Sequence, residues 1–257
     1  MSRSFPSTEL AFYENDSIFN NSPSKTLSLI TNTLETSSTW LVDLVASKIL
    51  RDSATHSVTI VQFINKTSLH QRGITKYGVD IDSSSKLGTL KLVDISDQIF
   101  KVGPNGFDGV GANELESYIK STIEISNTTN RVDDSANRYL ILENVDVLLT
   151  AGNTPESILT LIHNLHAVSS HIQIICNADS PLVTPGTYLS DSHGLLVNHL
   201  IHRSSLVVSL RPLETGRADD VTGVLRITRG PKVSQLKVLE NEYLYFVTSD
   251  NVKIIHR

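Results

Sequence analysis

The chain has 257 residues, 39% of them apolar, which is enough to bury a full α/β core, and its net charge of −5 gives no general attraction to nucleic acid. Its only cysteine, Cys176, lies in an apolar run, which excludes an intramolecular disulfide and points to a buried thiol. No stretch approaches the ~18 uncharged apolar residues of a membrane span, and MSRSFPSTELAFYEND has no apolar leader core, so a soluble intracellular protein is expected.

Residues 1–24 carry no periodic signal and read as irregular. A strand over residues 27–31 then leads through polar residues 31–39 into a helix at residues 40–50, with Leu41, Leu44, Val45 and Ile49 at helical spacing. Strands follow at residues 58–63 and 89–94. Residues 101–111 read as a surface loop, residues 113–125 as a helix on Leu115, Tyr118, Ile119, Thr122 and Ile123, and residues 126–137 as a second loop. After a strand at residues 139–143, Thr154 and Pro155 look like the cap and first turn of a helix carrying Ile158, Leu161, Ile162, Leu165 and Val168. A strand at 172–176, a short helix at 194–201 and a strand at 206–210 complete the alternation. Parallel strands need crossovers and helices supply them, so the pattern predicts a mostly parallel sheet with helices on both faces. The last segment, residues 203–257, has strand period without helices and predicts antiparallel hairpins at the sheet edge, within one domain over residues 1–257.

The strand-loop-helix at residues 27–50 has the order used to cradle a phosphate. Its loop lacks the glycines and lysine that such a cradle needs, and Glu35 would set a negative charge where the phosphate lies. An ordinary connection is expected, with a helix cap among Thr36, Ser37 and Ser38. Glu143 ends its strand where related folds hold Mg²⁺ or orient water, and without a phosphate cradle it reads as structural or interfacial. The glycine-rich residues 101–111 lack both dinucleotide spacing and a GK[ST] ending. His163 and His166 lie one turn apart, as do His199 and His202, yet no Cys, Asp or Glu set completes a ligand pattern, so no metal is expected.

Charge is unevenly placed: residues 203–257 hold 9 Lys/Arg against 6 Asp/Glu, net +3, while residues 1–202 carry net −8. A polyanion would meet this C-terminal segment most favourably. Within it Arg226 and Arg229 are three apart on a strand, so one is expected to pack across the sheet while the other projects outwards.

The stretch LRPLETGRADDVTGVLRITRGPKVSQLKVLENEYLYFVTSDNVKIIHR resembles the C-terminal signature of Elongator complex subunit 6, above all in PLETGRADDVTGVL, the Arg229-Gly230 pair and VLENEYLY. That resemblance implies a RecA-like fold whose phosphate-binding loop is degenerate, with Glu143 at the place of the metal-holding strand end. It implies a non-catalytic subunit that binds no cofactor itself. It further implies a hexameric ring with two copies each of subunits 4, 5 and 6, docked on the catalytic Elongator subcomplex. Such a ring binds tRNA, releases it on ATP hydrolysis and supports wobble-uridine modification in the cytoplasm, with the nucleus as a second location. On the same resemblance Arg229 would reach ATP bound by a neighbour, and Arg217, Asp219, Asp220, Arg226, Lys232, Glu240, Glu242, Tyr243 and Tyr245 would meet a neighbouring subunit or tRNA. Packing of Tyr243 and Tyr245 within their own hairpin stays open beside this. So does an ATPase or GTPase with an atypical loop that requires Glu143.

Overall fold

The computed structural model describes residues 10–64, 67–103, 106–129, 137–216, 218–248 and 251–256. Strand β1 (Thr26–Asn32) leads into helix α1 (Thr39–Asp52), followed by β2 (Ser57–Gln62), α2 (Thr67–Lys76), α3 (Ile81–Lys86) and β3 (Leu90–Asp94). A short helix α4 (Ser96–Ile99) precedes β4 (Phe100–Gly103), β5 (Gly106–Gly109) and α5 (Ala112–Thr129). Next come β6 (Arg138–Glu143), α6 (Val147–Thr150), α7 (Pro155–Ala167), β7 (His171–Asn177), α8 (Ser180–Val183) and α9 (Tyr188–Arg203). The chain ends with β8 (Leu206–Arg211), β9 (Gly223–Arg229), β10 (Asn241–Val247) and β11 (Val252–His256).

One nine-stranded sheet runs in the order β11-β10-β9-β8-β1-β7-β6-β2-β3. Strands β8, β1, β7, β6, β2 and β3 pair in parallel, and β9, β10 and β11 extend the β8 edge as antiparallel strands. This is the RecA-like α/β architecture that the alternation and the resemblance predict. Alternate residues of each strand feed different cores. On one face Ile30, Ile60, Ile141 and Ile175 pack with Leu41, Leu44, Val45 and Ile49 of α1. On the other, Leu29, Val61, Leu142 and Ile174 pack with Leu115 and Ile119 of α5, Ile158 and Leu161 of α7, and Leu196 and Leu200 of α9. Both faces are covered, as a parallel sheet requires.

Several elements differ from the sequence reading. Residues 101–111 are not a plain loop: β4 and β5 form a two-stranded antiparallel ribbon. Glycine allows its close approach, since a Cβ on Gly109 would lie 1.7 Å from the Ala151 carbonyl oxygen. Helix α5 continues through residues 126–129, because nothing in SNTT stops a helix already running, and residues 130–136 lie outside the described residues. Helix α9 starts six residues before residue 194, where Thr187 and Ser190 form a reciprocal capping box. Thr154 caps α7 as expected, accepting from the Ser157 N–H. Helices α2 and α3 have no apolar stripe: α2 buries only His70 and Ile74, and α3 buries nothing.

Residues 10–24 are irregular but not peripheral. Leu10, Phe12, Tyr13, Ile18 and Phe19 are buried in the α1-side core, and Tyr13 bridges to Val238 ahead of β10. The strap is pinned by the Glu14 N–H to Lys237 O and the Leu239 N–H to Phe12 O. Phe12 is 1% exposed, so Phe12→Ala should lower the unfolding free energy by about 3–5 kcal/mol in a denaturant titration, whereas a loosely attached strap would give a loss below about 1 kcal/mol.

Candidate functional site

In open α/β sheets ligands enter where neighbouring strands send their chains to opposite faces. Here β1 runs into α1 on one face while its neighbour β7 leads to α9 on the other, so the crevice lies between the ends of β1 and β7. That crevice is stitched shut. The Ala178 N–H donates to Asn32 O at 2.7 Å, and the Leu34 N–H donates to Asp179 Oδ2 at 2.8 Å. The four residues after β1 close on themselves: the Thr36 N–H bonds Thr33 O at 3.0 Å, and the Thr33 N–H bonds Thr36 Oγ1 at 3.2 Å. The Thr36 hydroxyl also donates to Leu210 O at 3.0 Å, which ties the turn to β8. The Thr33, Leu34, Thr36 and Thr39 amides are therefore used within the chain, and Asp179 holds a carboxylate among them. Ser38 is the cap residue of α1 but makes no side-chain cap bond, and the Thr39 N–H goes to Ser37 Oγ instead.

Strands β6 and β2 form a second pair whose following helices lie on opposite faces, α7 behind β6 and α2 behind β2. Its crevice is filled by charge. His70 of α2 bonds Asp43 of α1 through Nδ1 at 2.6 Å and Glu143 of β6 through Nε2 at 2.8 Å. His70 is 0% exposed, Asp43 4% and Glu143 1%, so solvent does not screen the three groups. Burial raises the Asp43 carboxyl to about 6 despite the neighbouring imidazole. Burial also opposes the imidazolium, but bonds to both carboxylates override it and raise His70 to about 9. At neutral pH His70 is thus a cation holding two acids, and α1, α2 and β6 meet on it. Gly73 makes room, because a Cβ there would lie 1.7 Å from Asp43 Oδ2. Beside Glu143 in the sheet register, Gln62 is buried with neither amide atom hydrogen-bonded.

The sequence singled out Glu143 and missed its partners. His70 lies 73 residues from Glu143 and 27 from Asp43, and each looks unremarkable where it stands. The available signal was His70 and Ile74 one turn apart with Gly73 between them, in a segment otherwise too polar to be read as a helix.

The C-terminal candidates do not converge on one point, and Arg217 lies outside the described residues. Asp219 helps line a cleft of about 750 Å³ with Glu35, Leu213, Gly216 and Phe246, next to the closed turn, while Asp220 is exposed. Tyr243 and Tyr245 are buried in their own chain, with Tyr245 against Trp40 at 5.2 Å between ring centroids. Glu242 accepts from Arg211, which also grips Glu214, and Glu240 accepts the Arg229 N–H. Arg226 and Arg229 are both exposed, so neither packs across the sheet as expected; Arg229 is the last residue of β9, at the end of the sheet. Lys232 lies on a separate groove with His163, His166 and His199. No group of three or more His, Cys, Asp or Glu placed for a metal ion occurs among the described residues. Cys176 is fully buried and burial raises its thiol well above the ordinary range, so it is not a nucleophile.

Removing His70 leaves two carboxylates buried without a counter-ion, so His70→Ala should cost about 3–5 kcal/mol of unfolding free energy. Gly73→Ala should also destabilise, by displacing Asp43. A His70→Ala loss below about 1 kcal/mol would show that the carboxylates find other partners. The pH response has a fixed sign. A base whose folded value exceeds its unfolded one stabilises fully below about 6.5 and loses that contribution as pH rises through about 9. The parent chain should therefore lose thermal stability between pH 6.5 and 9.5, and His70→Gln should flatten that slope.

Two comparisons bear on this geometry. A curated relative, Elongator complex protein 6 of Saccharomyces cerevisiae, is 40% identical over 60 residues, covering 21% of this chain and 22% of the relative. The match thus spans about a fifth of the relative's length. The family model described as Elongation complex protein 6 matches residues 107–249, more than half of the chain and including β6, β7 and the whole β8–β10 edge. The chain belongs to the Elongation complex protein 6 family.

Proposed function

We propose that this chain is a non-catalytic subunit of Elongator that builds a hexameric ring with the complex's other two RecA-like subunits, 4 and 5, two copies of each. The observation that carries the reading is the switch-point crevice closed by Asp179 and the Thr33–Thr36 turn, with the Glu143 strand end occupied by His70. A phosphate there would have to displace a carboxylate and break several internal hydrogen bonds, and Glu143 would have to give up an imidazolium to reach a metal. Those costs favour a structural role over an ATPase or GTPase acting through an atypical loop. Apolar exposure on the same rim supports a subunit contact: Leu34 is 89% exposed and Tyr188, at the start of α9, 82%. In this reading ATP sits only at ring interfaces, the ring binds tRNA and releases it on hydrolysis, and it serves wobble-uridine modification by the catalytic Elongator subcomplex in the cytoplasm and nucleus.

Arg229 takes a defined place in the proposal. Strand β9 runs antiparallel to β8, which sets Arg229 opposite Leu206, roughly 17 Å along the sheet from the end where the closed crevice lies. It cannot serve its own chain's crevice, so any nucleotide it meets belongs to a neighbour. Asp219, Asp220, Glu240 and Glu242 belong to the contact surface, as does Arg217. Arg226 and Lys232 are available to RNA.

Native mass spectra should show this chain monomeric and nucleotide-free alone, and a 2:2:2 hexamer when co-expressed with the two partners. ATP carried by the lone chain, with no assembly, would overturn the reading in favour of the atypical ATPase. Within the assembled ring, Arg229→Ala should lower ATP turnover or its coupling to tRNA release several-fold, and unchanged values for both would remove Arg229 from the mechanism.

A further inference from the structure

At the end of the sheet opposite the closed crevice, a groove of about 810 Å³ opens between α7 and α9. Its basic side chains come from four separate places: Lys25 just before β1, Arg203 at the end of α9, Lys232 after β9, and histidines from both helices. His163 and His166 share one face of α7, and His199 faces them from α9 one turn before Arg203. Among the described residues, Glu156 is the single carboxylate on the lining. On a chain of net charge −5 this is a local reversal of sign.

The groove's charges are held in place yet unneutralised. Lys25 Nζ donates to the His166 and Ala167 carbonyls at 3.2 and 2.5 Å, which fixes it over the C-terminus of α7. The Lys232 N–H bonds Ser204 O at 3.1 Å and anchors that loop beside Arg203. Among the described residues, neither Arg203 nor Lys232 joins an ion pair. His166 Nε2 is buried without a hydrogen-bond partner, and burial together with Lys25 and His163 lowers that imidazole's affinity for a proton. The groove is therefore positive, walled and short of an anion.

We propose that this groove binds the phosphodiester backbone of RNA. Its functional groups are almost all donors: ammonium and guanidinium groups have no acceptor, and even a neutral imidazole offers one N–H. Phosphate oxygens only accept, so the two are matched. An acidic peptide matches less well, because its own N–H groups need acceptors, and the strand beneath the groove has none to give: β1 is paired on both sides, by β7 and β8. The inference deepens the tRNA reading and rests on it only for which RNA is bound. Of the basic residues marked by the resemblance, Lys232 lies in this groove; Arg203, His163, His166 and His199 join it only through the fold.

The test uses the full chain, fluorescence anisotropy at low salt, and two labelled probes, a 12-nucleotide oligouridylate and a transfer RNA. The double variant R203E/K232E should bind both at least tenfold more weakly and flatten the dependence of log K on log salt by about 1.5. The double variant K48E/K86E makes the same charge change at exposed positions elsewhere and should stay within twofold of the parent. Circular dichroism melts establish that each variant folds, and R203Q/K232Q, which only neutralises, should give an intermediate loss. Equal losses in R203E/K232E and K48E/K86E, or competition by polyglutamate as effective as by unlabelled RNA, would overturn the inference. Failure here is separable from failure of the ring: a ring that forms and holds tRNA unchanged with R203E/K232E removes the groove and keeps the subunit reading, while RNA binding by a chain that never assembles does the reverse.

Discussion

The His70 imidazolium, wedged between Asp43 and Glu143, is the contact on which this end of the molecule depends. A buried carboxylate at a strand end is costly unless something neutralises it, and two are worse. The two acids sit on different elements, so whatever holds them also fixes α1 and β6 against α2. Helix α2 has little else to hold it, since Ile74 is its one buried apolar side chain. Charge here does the work that an apolar stripe does elsewhere. Either carboxylate could turn elsewhere only by giving up its short bond to the imidazolium.

The same logic of internal satisfaction applies a few strands away. A phosphate cradle is made of amide groups left unpaired so that a ligand can pair them, which only glycine-rich backbone tolerates. The turn after β1 carries threonines instead, and their hydroxyls cross-bond the turn and reach β8. Asp179 then takes the Leu34 amide. Together these bonds make the turn a fixed joint between β1, β7 and β8.

Much of this was legible in the sequence, for identifiable reasons. Strands at 27–31, 58–63, 139–143, 172–176 and 206–210 are short apolar runs, and α1, α5 and α7 carry stripes at helical spacing, so period alone places them. The loop at residues 31–39 carries no glycine or lysine, which was plain from the sequence alone. What period cannot show is an element held by one polar contact, and α2 and α3 were silent for that reason. The strap at residues 10–24 was silent too, because Phe12, Tyr13, Ile18 and Phe19 are apolar in no regular order and are pinned by residues 237–239, more than 200 positions away. Glu143 was visible as a strand-end acid; its meaning was not, since His70 reaches it across 73 residues of chain.

The two ends of the sheet have diverged in opposite directions. At the C-terminal rim of the parallel strands the His70 triad and the Thr33–Thr36 turn are bonded within the chain, and Leu34 and Tyr188 stand exposed there. At the other rim Lys25, Arg203 and Lys232 converge with three histidines and a single acid. At the first rim the Thr33, Leu34, Thr36 and Thr39 amides are paired within the chain, and at the second Arg203 and Lys232 join no ion pair among the described residues. The apolar rim suits a protein neighbour, whose burial would remove Leu34 and Tyr188 from water. The cationic rim suits an anion too large to enter a crevice. A subunit of the kind proposed would use the two rims differently, with a protein neighbour at the first, and at the second a charged groove that attracts a polyanion despite the chain's net charge of −5.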